Sequence, residues 1–190
     1  MHTARQLEAG QNVFSLAAEE PGFLYIPQVS GQWVHGFGPA DINLMAGTSG
    51  VTFNAGLGGR AYLSDLFQLG LQTRYQFYTS EPGYFLSGRH FLQPRLSFSS
   101  SVNERRKFYG GTSINGLLDA PADEKGLEVS ALFHSLTVGF ENDVSDKLAI
   151  QVEATVPTAI WTPRRGLSSV VQSDALAWIG TQVGFGLNWF

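Results

Sequence analysis

The chain has no cysteine and only three lysines, at positions 107, 125 and 147. Without cysteine, neither a disulfide framework nor a thiolate metal site can form. Charge is scarce altogether: Asp, Glu, Lys and Arg make up 15% of the residues, against roughly 25% in ordinary soluble domains. All three lysines fall in stretches that read as turns or loops, whereas a water-facing strand surface normally carries Lys and Glu. No run of about 18 apolar residues occurs, which excludes a transmembrane helix. The net charge is −4 with no basic run, so nucleic acid is not an expected partner. The sequence also carries no signal-peptide pattern, and Met1-His2-Thr3-Ala4-Arg5 reads as a mature chain given a start codon. A length of 190 residues is read as one domain, 1–190.

What the chain has in quantity is alternation. From Leu66 to Tyr78, one set of residues is Phe67, Leu69, Leu71, Thr73, Tyr75 and Phe77, and the other is Gln68, Gly70, Gln72, Arg74 and Gln76. A period of two is the signature of a strand, because successive side chains point to opposite faces. The stretch is long for a soluble strand, which averages about 5–6 residues, and fits the 9–11 or so that cross a bilayer.

The pattern recurs ten times. The strands are expected at Asn12–Ala18, Ile26–His35, Asp41–Thr48, Val51–Leu63, Leu66–Tyr78, Arg89–Ser100, Phe108–Gly116, a stretch holding Leu132 to Phe140, Leu148–Val156 and Ile179–Trp189. Glu19-Glu20-Pro21-Gly22 reads as a turn, Asn103–Lys107 as a short charged turn, Leu118–Gly126 as an acidic loop, and Asp143–Lys147 as another turn. Pro157–Asp174 reads as the longest loop. Pro94 predicts a bulge or weakened pairing inside the sixth strand, and the facing of the glycine-rich seventh is left open.

Ten strands, with short connections at one end and three of the five at the other end longer (those near 20 and 49 are short), predict an all-β fold, a ten-stranded antiparallel transmembrane β-barrel built as an up-and-down meander. Closure removes the unpaired edges that hydrocarbon does not tolerate. Alternation alone does not say which face is outside, and a soluble barrel would turn its apolar face inward. The Gln, Asn, Gly and Ser of the polar face, with scattered Arg, suit a small hydrogen-bonded lumen. Aromatic residues gather at strand ends: Trp33, Phe37, Phe67, Phe108, Phe140 and Trp189 at one side, Phe77, Tyr78, Tyr84, Phe85, Trp161 and Trp178 at the other. Amphipathic rings favour those interfaces.

The chain resembles the small outer-membrane β-barrel proteins of Gram-negative bacteria. Y-L-S-D-L-F-Q-L-G-L at 62–71 and V-S-D-K-L-A-I-Q-V at 144–152 are similar to the periplasmic turn-plus-strand units of that class. T-A-R-Q-L-E-A-G-Q at 3–11 resembles the start of barrels exported behind a lipoprotein-type signal. Phe190 resembles the aromatic residue read by barrel-assembly machinery, although Trp189, Leu187 and Phe185 are out of phase with it. The resemblance implies a bacterial outer-membrane location and contact with its lipid. It also implies insertion by that machinery and other envelope proteins as partners.

Inside the lumen the sequence places Arg60, Arg74, Arg95, Gln72 and Glu153, with Asp41 a further candidate. They are either a constriction that selects charged solutes or a plug of mutually satisfied charges. Ten strands make a narrow tube, which favours the plug. Trp161, Arg164 and Arg165 are the candidates for recognition at the outer loops. Glu81, His90, Asp119, Asp123, Glu128 and Asp174 lie near the outer rim, where ten-stranded outer-membrane proteases carry their acids and histidine. No paired aspartates resembling that family occur, so no enzyme is expected. His134 shares a face with Leu132 and Leu136, which calls for a strand shift or bulge that re-aims it, or for contact with a neighbouring protein instead of lipid. His2, His35 and His90 have no metal-ligand spacing, and no metal or cofactor is expected. Ala55–Arg60 is glycine-rich but sits within a strand, which is the wrong context for a phosphate loop.

The expected function is structural or interaction-based, with a largely occluded lumen. The alternatives are a small passive pore for ions or polar solutes and an outer-rim hydrolase.

Overall fold

In the computed structural model the described residues are 5–21, 28–48, 52–78, 88–103, 105–119, 128–162, 166–169 and 182–190. They form β1 (Asn12–Pro21), β2 (Gln28–Gly36), β3 (Ala40–Thr48), β4 (Thr52–Tyr62), β5 (Phe67–Tyr78) and β6 (Gly88–Asn103). β7 (Arg106–Asp119), β8 (Glu128–Ser145), β9 (Leu148–Thr162), β10 (Gly166–Ser169) and β11 (Gln182–Trp189) follow. Each strand from β1 to β9 pairs antiparallel with the next, β9 also pairs with β11, and β11 pairs with β1, so the sheet closes. β10 pairs with the far end of the same edge of β9 that β11 occupies, from Ala159 to Thr162. The two pieces together fill the tenth position of a closed ten-stranded barrel.

The barrel is inside out relative to a soluble one. Among the described residues, 28 large apolar side chains are exposed, including Phe14, Leu44, Leu57, Leu71, Val138 and Phe185. The buried set is mostly polar: Asp41, Asn43, Asn54, Arg60, Gln68, Glu141, Gln151 and Asn188 among others. Water would not tolerate an apolar belt of that extent, whereas hydrocarbon requires one. The alternating faces read from sequence are therefore lipid and lumen, and the fold is a transmembrane barrel. In β7 the open question resolves: Phe108 and Ile114 face out, and Tyr109 and Ser113 face in.

Several strands run further than their sequence implied. β1 continues through Glu19, Glu20 and Pro21, which pair with β11, where a turn was expected. β7 begins at Arg106 and runs to Asp119, and β8 continues to Ser145, taking in residues assigned to turns and to the acidic loop. The largest correction is β9. Pro157 does not end it, and Trp161 lies in the strand, paired with Leu132 and Leu167, not in a loop. Residue-type rules read Glu-Glu-Pro and Pro-Thr as breaks, but a neighbour on each side supplies a ladder that overrides them. Of the two outcomes expected at Pro94, the structure shows the weakened pairing and not the bulge. The register of Pro94 to β5 is regular, and the paired positions of β7 skip from Leu92 to Arg95 without a shift.

The connections at 37–39, 63–66, 104–105 and 146–147 are short and share the end at which β1 begins and β11 ends. Trp33, His35 and Phe37 form an aromatic row there, with ring centroids 5.7 and 4.9 Å apart. The Phe108 and Phe140 rings pair 5.1 Å apart at the same end. Of the opposite aromatic group only Trp161 has a described side chain.

Candidate functional site in the barrel lumen

The lumen holds two polar clusters. The first is built on β3, β4, β5 and β6. Arg60 is buried at 7% exposure, and its Nε donates to both Asp41 oxygens at 3.2 and 3.0 Å. Its Nη2 donates to Asp41 Oδ2 at 2.5 Å and its Nη1 to Gln68 Oε1 at 3.1 Å. Tyr62 donates its hydroxyl to Asp41 Oδ2 at 2.5 Å, and Gln68 reaches Ser99 Oγ at 3.4 Å. Asp41 and Arg60 meet because β3 and β4 pair them directly. A guanidinium forked onto a carboxylate is the strongest arrangement available to a buried pair.

The second cluster lies on β7, β8, β9 and β11. Glu141 is fully buried and accepts from Asn188 Nδ2 at 2.9 Å. The same amide reaches Gln151 Oε1 at 3.1 Å, and Gln151 donates to the Tyr109 hydroxyl at 2.5 Å. Gly139 makes room for this ring: a Cβ there would overlap Tyr109. Arg95 of β6 and Glu153 of β9 pair at 3.6 Å, reaching past the two intervening strands.

Both clusters are joined by the segment ahead of β1. Leu7 donates its backbone N–H to the Tyr62 hydroxyl at 3.0 Å, and Gln6 donates to the Ser64 carbonyl at 2.6 Å. Arg5 pairs with Asp143 and approaches Glu141 at 3.7 Å. The β4–β5 and β8–β9 turns lie four strands apart on a ring of ten, so residues 5–11 form a strap across the barrel mouth. The strap is pinned to the wall by Gly10 N–H to Gly36 carbonyl and Gly36 N–H to Gln11 carbonyl, both 2.9 Å. Only glycine fits at 36, since a Cβ would lie 2.5 Å from Glu8 carbonyl oxygen and from Leu7 Cβ. Leu7 is buried with Val13 and Val34, and Phe190 packs against them. These side chains form an apolar cluster at this end of the polar tube.

Of the residues singled out from sequence, Arg60, Arg95, Glu153 and Gln72 lie on the lumen face, and Asp41 joins them. Gln72 is half-buried, with its amide 2.6 Å from Met45 Sδ. Arg74 takes a register position between Gly56 and Phe91, and its side chain lies outside the described residues, as do Arg164 and Arg165. Glu81, Asp123 and Asp174 fall outside them too, and His90, Asp119 and Glu128 are described by backbone alone. Among the described residues no group of three His, Asp or Glu is placed to hold a metal. Glu141, Gln151, Asn188, Tyr109 and the strap were not picked out from sequence. Gln151 and Asn188 were visible on polar faces, but Glu141 sat beside a predicted turn and the strap has no periodicity.

His134 stands beside a bulge, but the bulge does not re-aim it as expected: it keeps its outward position. Residue 158 is the extra residue on β9, where His134 pairs with Ala159 but Ser135 with Pro157. The ring nitrogens bond Thr112 Oγ1 at 2.6 Å and Thr158 Oγ1 at 2.5 Å. Three polar groups thus satisfy one another on the lipid-facing side.

No family model matches the chain, and neither does any curated protein. Similar solved structures include the NanC porin, 7% identical over 95% of this chain and 100% of that one, with a TM-score of 0.49. The outer-membrane protease OmpT from Escherichia coli is 11% identical over 98% and 97%, with a TM-score of 0.43. A de novo designed transmembrane β-barrel is 13% identical over 97% and 98%, with a TM-score of 0.42.

Proposed function

We propose that this chain is an integral outer-membrane barrel with a closed lumen, acting as a structural or interaction protein of a Gram-negative envelope and not as a channel or an enzyme. The observation that carries this reading is the pairing of lumen charge. A selective constriction needs charge offered to a passing solute. Here Arg60 is spent on Asp41 and Arg95 faces Glu153, while the strap lays Leu7 and Arg5 across the mouth. Lipid would surround the apolar belt, barrel-assembly machinery would insert the chain, and contacts with other envelope proteins would be made outside the lumen.

The passive pore is the second reading. Asn43 and Asn54 favour it, since both have buried amides with no hydrogen-bond partner in the protein, as a hydrated stretch of lumen would leave them. Planar-bilayer recording of the refolded chain separates the two. Insertion, checked by heat-modifiable migration, without current steps is the expected result. Stable unitary steps would overturn the closed lumen and turn attention to Arg74 as a constriction residue.

A further inference from the structure

A pocket of about 660 Å³ opens at the short-turn end, lined by Asn103, Arg105, Arg106, Asn142 and Asp143. Its position relative to the membrane is set by two cross-strand pairs. Phe108 stands opposite Phe140, and two residues on Arg106 stands opposite Asn142. All four share the outward face. At the usual rise and tilt, Arg106 lies about 5 Å beyond the aromatic pair. Aromatic rings mark the boundary of the hydrocarbon, so the Arg106 guanidinium sits at headgroup depth.

The charge in the pocket is lopsided. Among the described residues Arg106 donates only to the neutral Asn142, from Nε at 3.3 Å. Arg105 is exposed and its guanidinium has no partner among the described residues, while its backbone carbonyl accepts from Asp143 N–H at 2.8 Å and its N–H donates to Asn103 Oδ1 at 3.0 Å. Among the described residues the one carboxylate in the lining, Asp143, is already paired with Arg5. Two adjacent guanidiniums at the start of β7, with Asp143 paired elsewhere, match the planar two-point recognition of phosphate oxygens.

We infer that this pocket binds the phosphodiester of an anionic phospholipid in the leaflet at the short-turn end, with the Phe108–Phe140 pair against its acyl chains. A headgroup carrying its own cation, such as phosphocholine, would offset the two arginines and bind less well. The pocket is independent of whether the lumen conducts.

The test is native mass spectrometry of the whole refolded chain, released from mixed micelles holding equal phosphatidylglycerol and phosphatidylcholine. The expected result is one retained phosphatidylglycerol, preferred at least about five-fold, the scale of one basic residue near an anionic surface. R105Q/R106Q should reduce the preference to near unity, while K147Q, in the adjacent turn, should leave it intact. If the double variant fails to fold, R105Q alone removes no side-chain contact and should still lower the preference. Equal retention of both lipids by the unmodified protein, or an unchanged preference in R105Q, would overturn the inference. Displacement of the lipid by excess inorganic phosphate would reassign the pocket to soluble anions and overturn it equally.

Discussion

The Arg5 guanidinium lies 3.7 Å over the ring of Phe190. The residue ahead of the first strand and the residue after the last are thus joined by a cation–π contact, at the same place where Arg5 meets Asp143 and Glu141. The sheet closes through β1 and β11, so this contact fastens the seam from inside the mouth. It also supplies a cation to Glu141, which has no exposure of its own.

Arg5→Ala should therefore destabilise the barrel although Arg5 stands outside the sheet. Removing one partner of a buried carboxylate costs about 3–5 kcal/mol. Arg5 keeps 23% exposure, so solvent screening reduces the expected loss to roughly 1–3 kcal/mol. Equilibrium urea unfolding in lipid vesicles, followed by tryptophan fluorescence, measures it. Arg5→Lys should recover only part, because an ammonium neither forks onto the carboxylates nor stacks as well on the Phe190 ring. Full recovery would reduce the latch to simple charge.

Asp41→Asn should cost more than Arg5→Ala. Arg60 would be left buried without its counter-charge, an expected loss of about 3–5 kcal/mol. Asp41→Leu combined with Arg60→Met should regain most of it, because an apolar pair carries no unpaired charge. A double variant as weak as the single one would mean that the pair holds the strand geometry itself.

The alternating faces were legible because lipid and lumen impose a period of two on every strand. Leu57 and Arg60 could be sorted to opposite sides from order alone. What Arg60 touches could not, because that depends on register across strands, and a shift of two residues would have given Asp41 another partner. Strand ends were under-read for a related reason. Glu19, Glu20 and Pro21 carry turn chemistry, yet they sit on a seam whose partners are 161 to 165 residues away in sequence. Trp161 was misplaced because Pro157 reads as a terminator, and the extra residue at Thr158 breaks the phase that would have carried the alternation onward.

Gly139 and Tyr109 should behave as one unit. Gly139→Ala places a methyl group where the Tyr109 ring lies, and Gln151 fixes that ring by its hydroxyl. Overpacking of this kind costs about 1–3 kcal/mol. Tyr109→Ala alone should also destabilise, by opening space and freeing Gln151, but in its presence Gly139→Ala should cost little. A double-mutant cycle by urea unfolding should give a coupling of about 1–3 kcal/mol. Additive losses would show that the two sites are independent.

Pro94 offers the opposite sign. It lies on the lipid face of β6, paired with Leu71 on one side, while the positions paired with β7 skip it. Proline has no N–H to give a ladder, and the register on either side is already unshifted, so the strands need no rearrangement to accept a donor. Pro94→Val supplies that N–H and a β-branched side chain suited to the outer face. A ladder bond contributes about 0.5–1.5 kcal/mol, so the variant should unfold at higher urea and show slower amide exchange at Ile114, the residue opposite position 94. Unchanged stability would mean that the carbonyl opposite Pro94 has already found another donor. A loss would mean that the fixed backbone angle of proline, which restricts the unfolded chain, outweighs the missing bond.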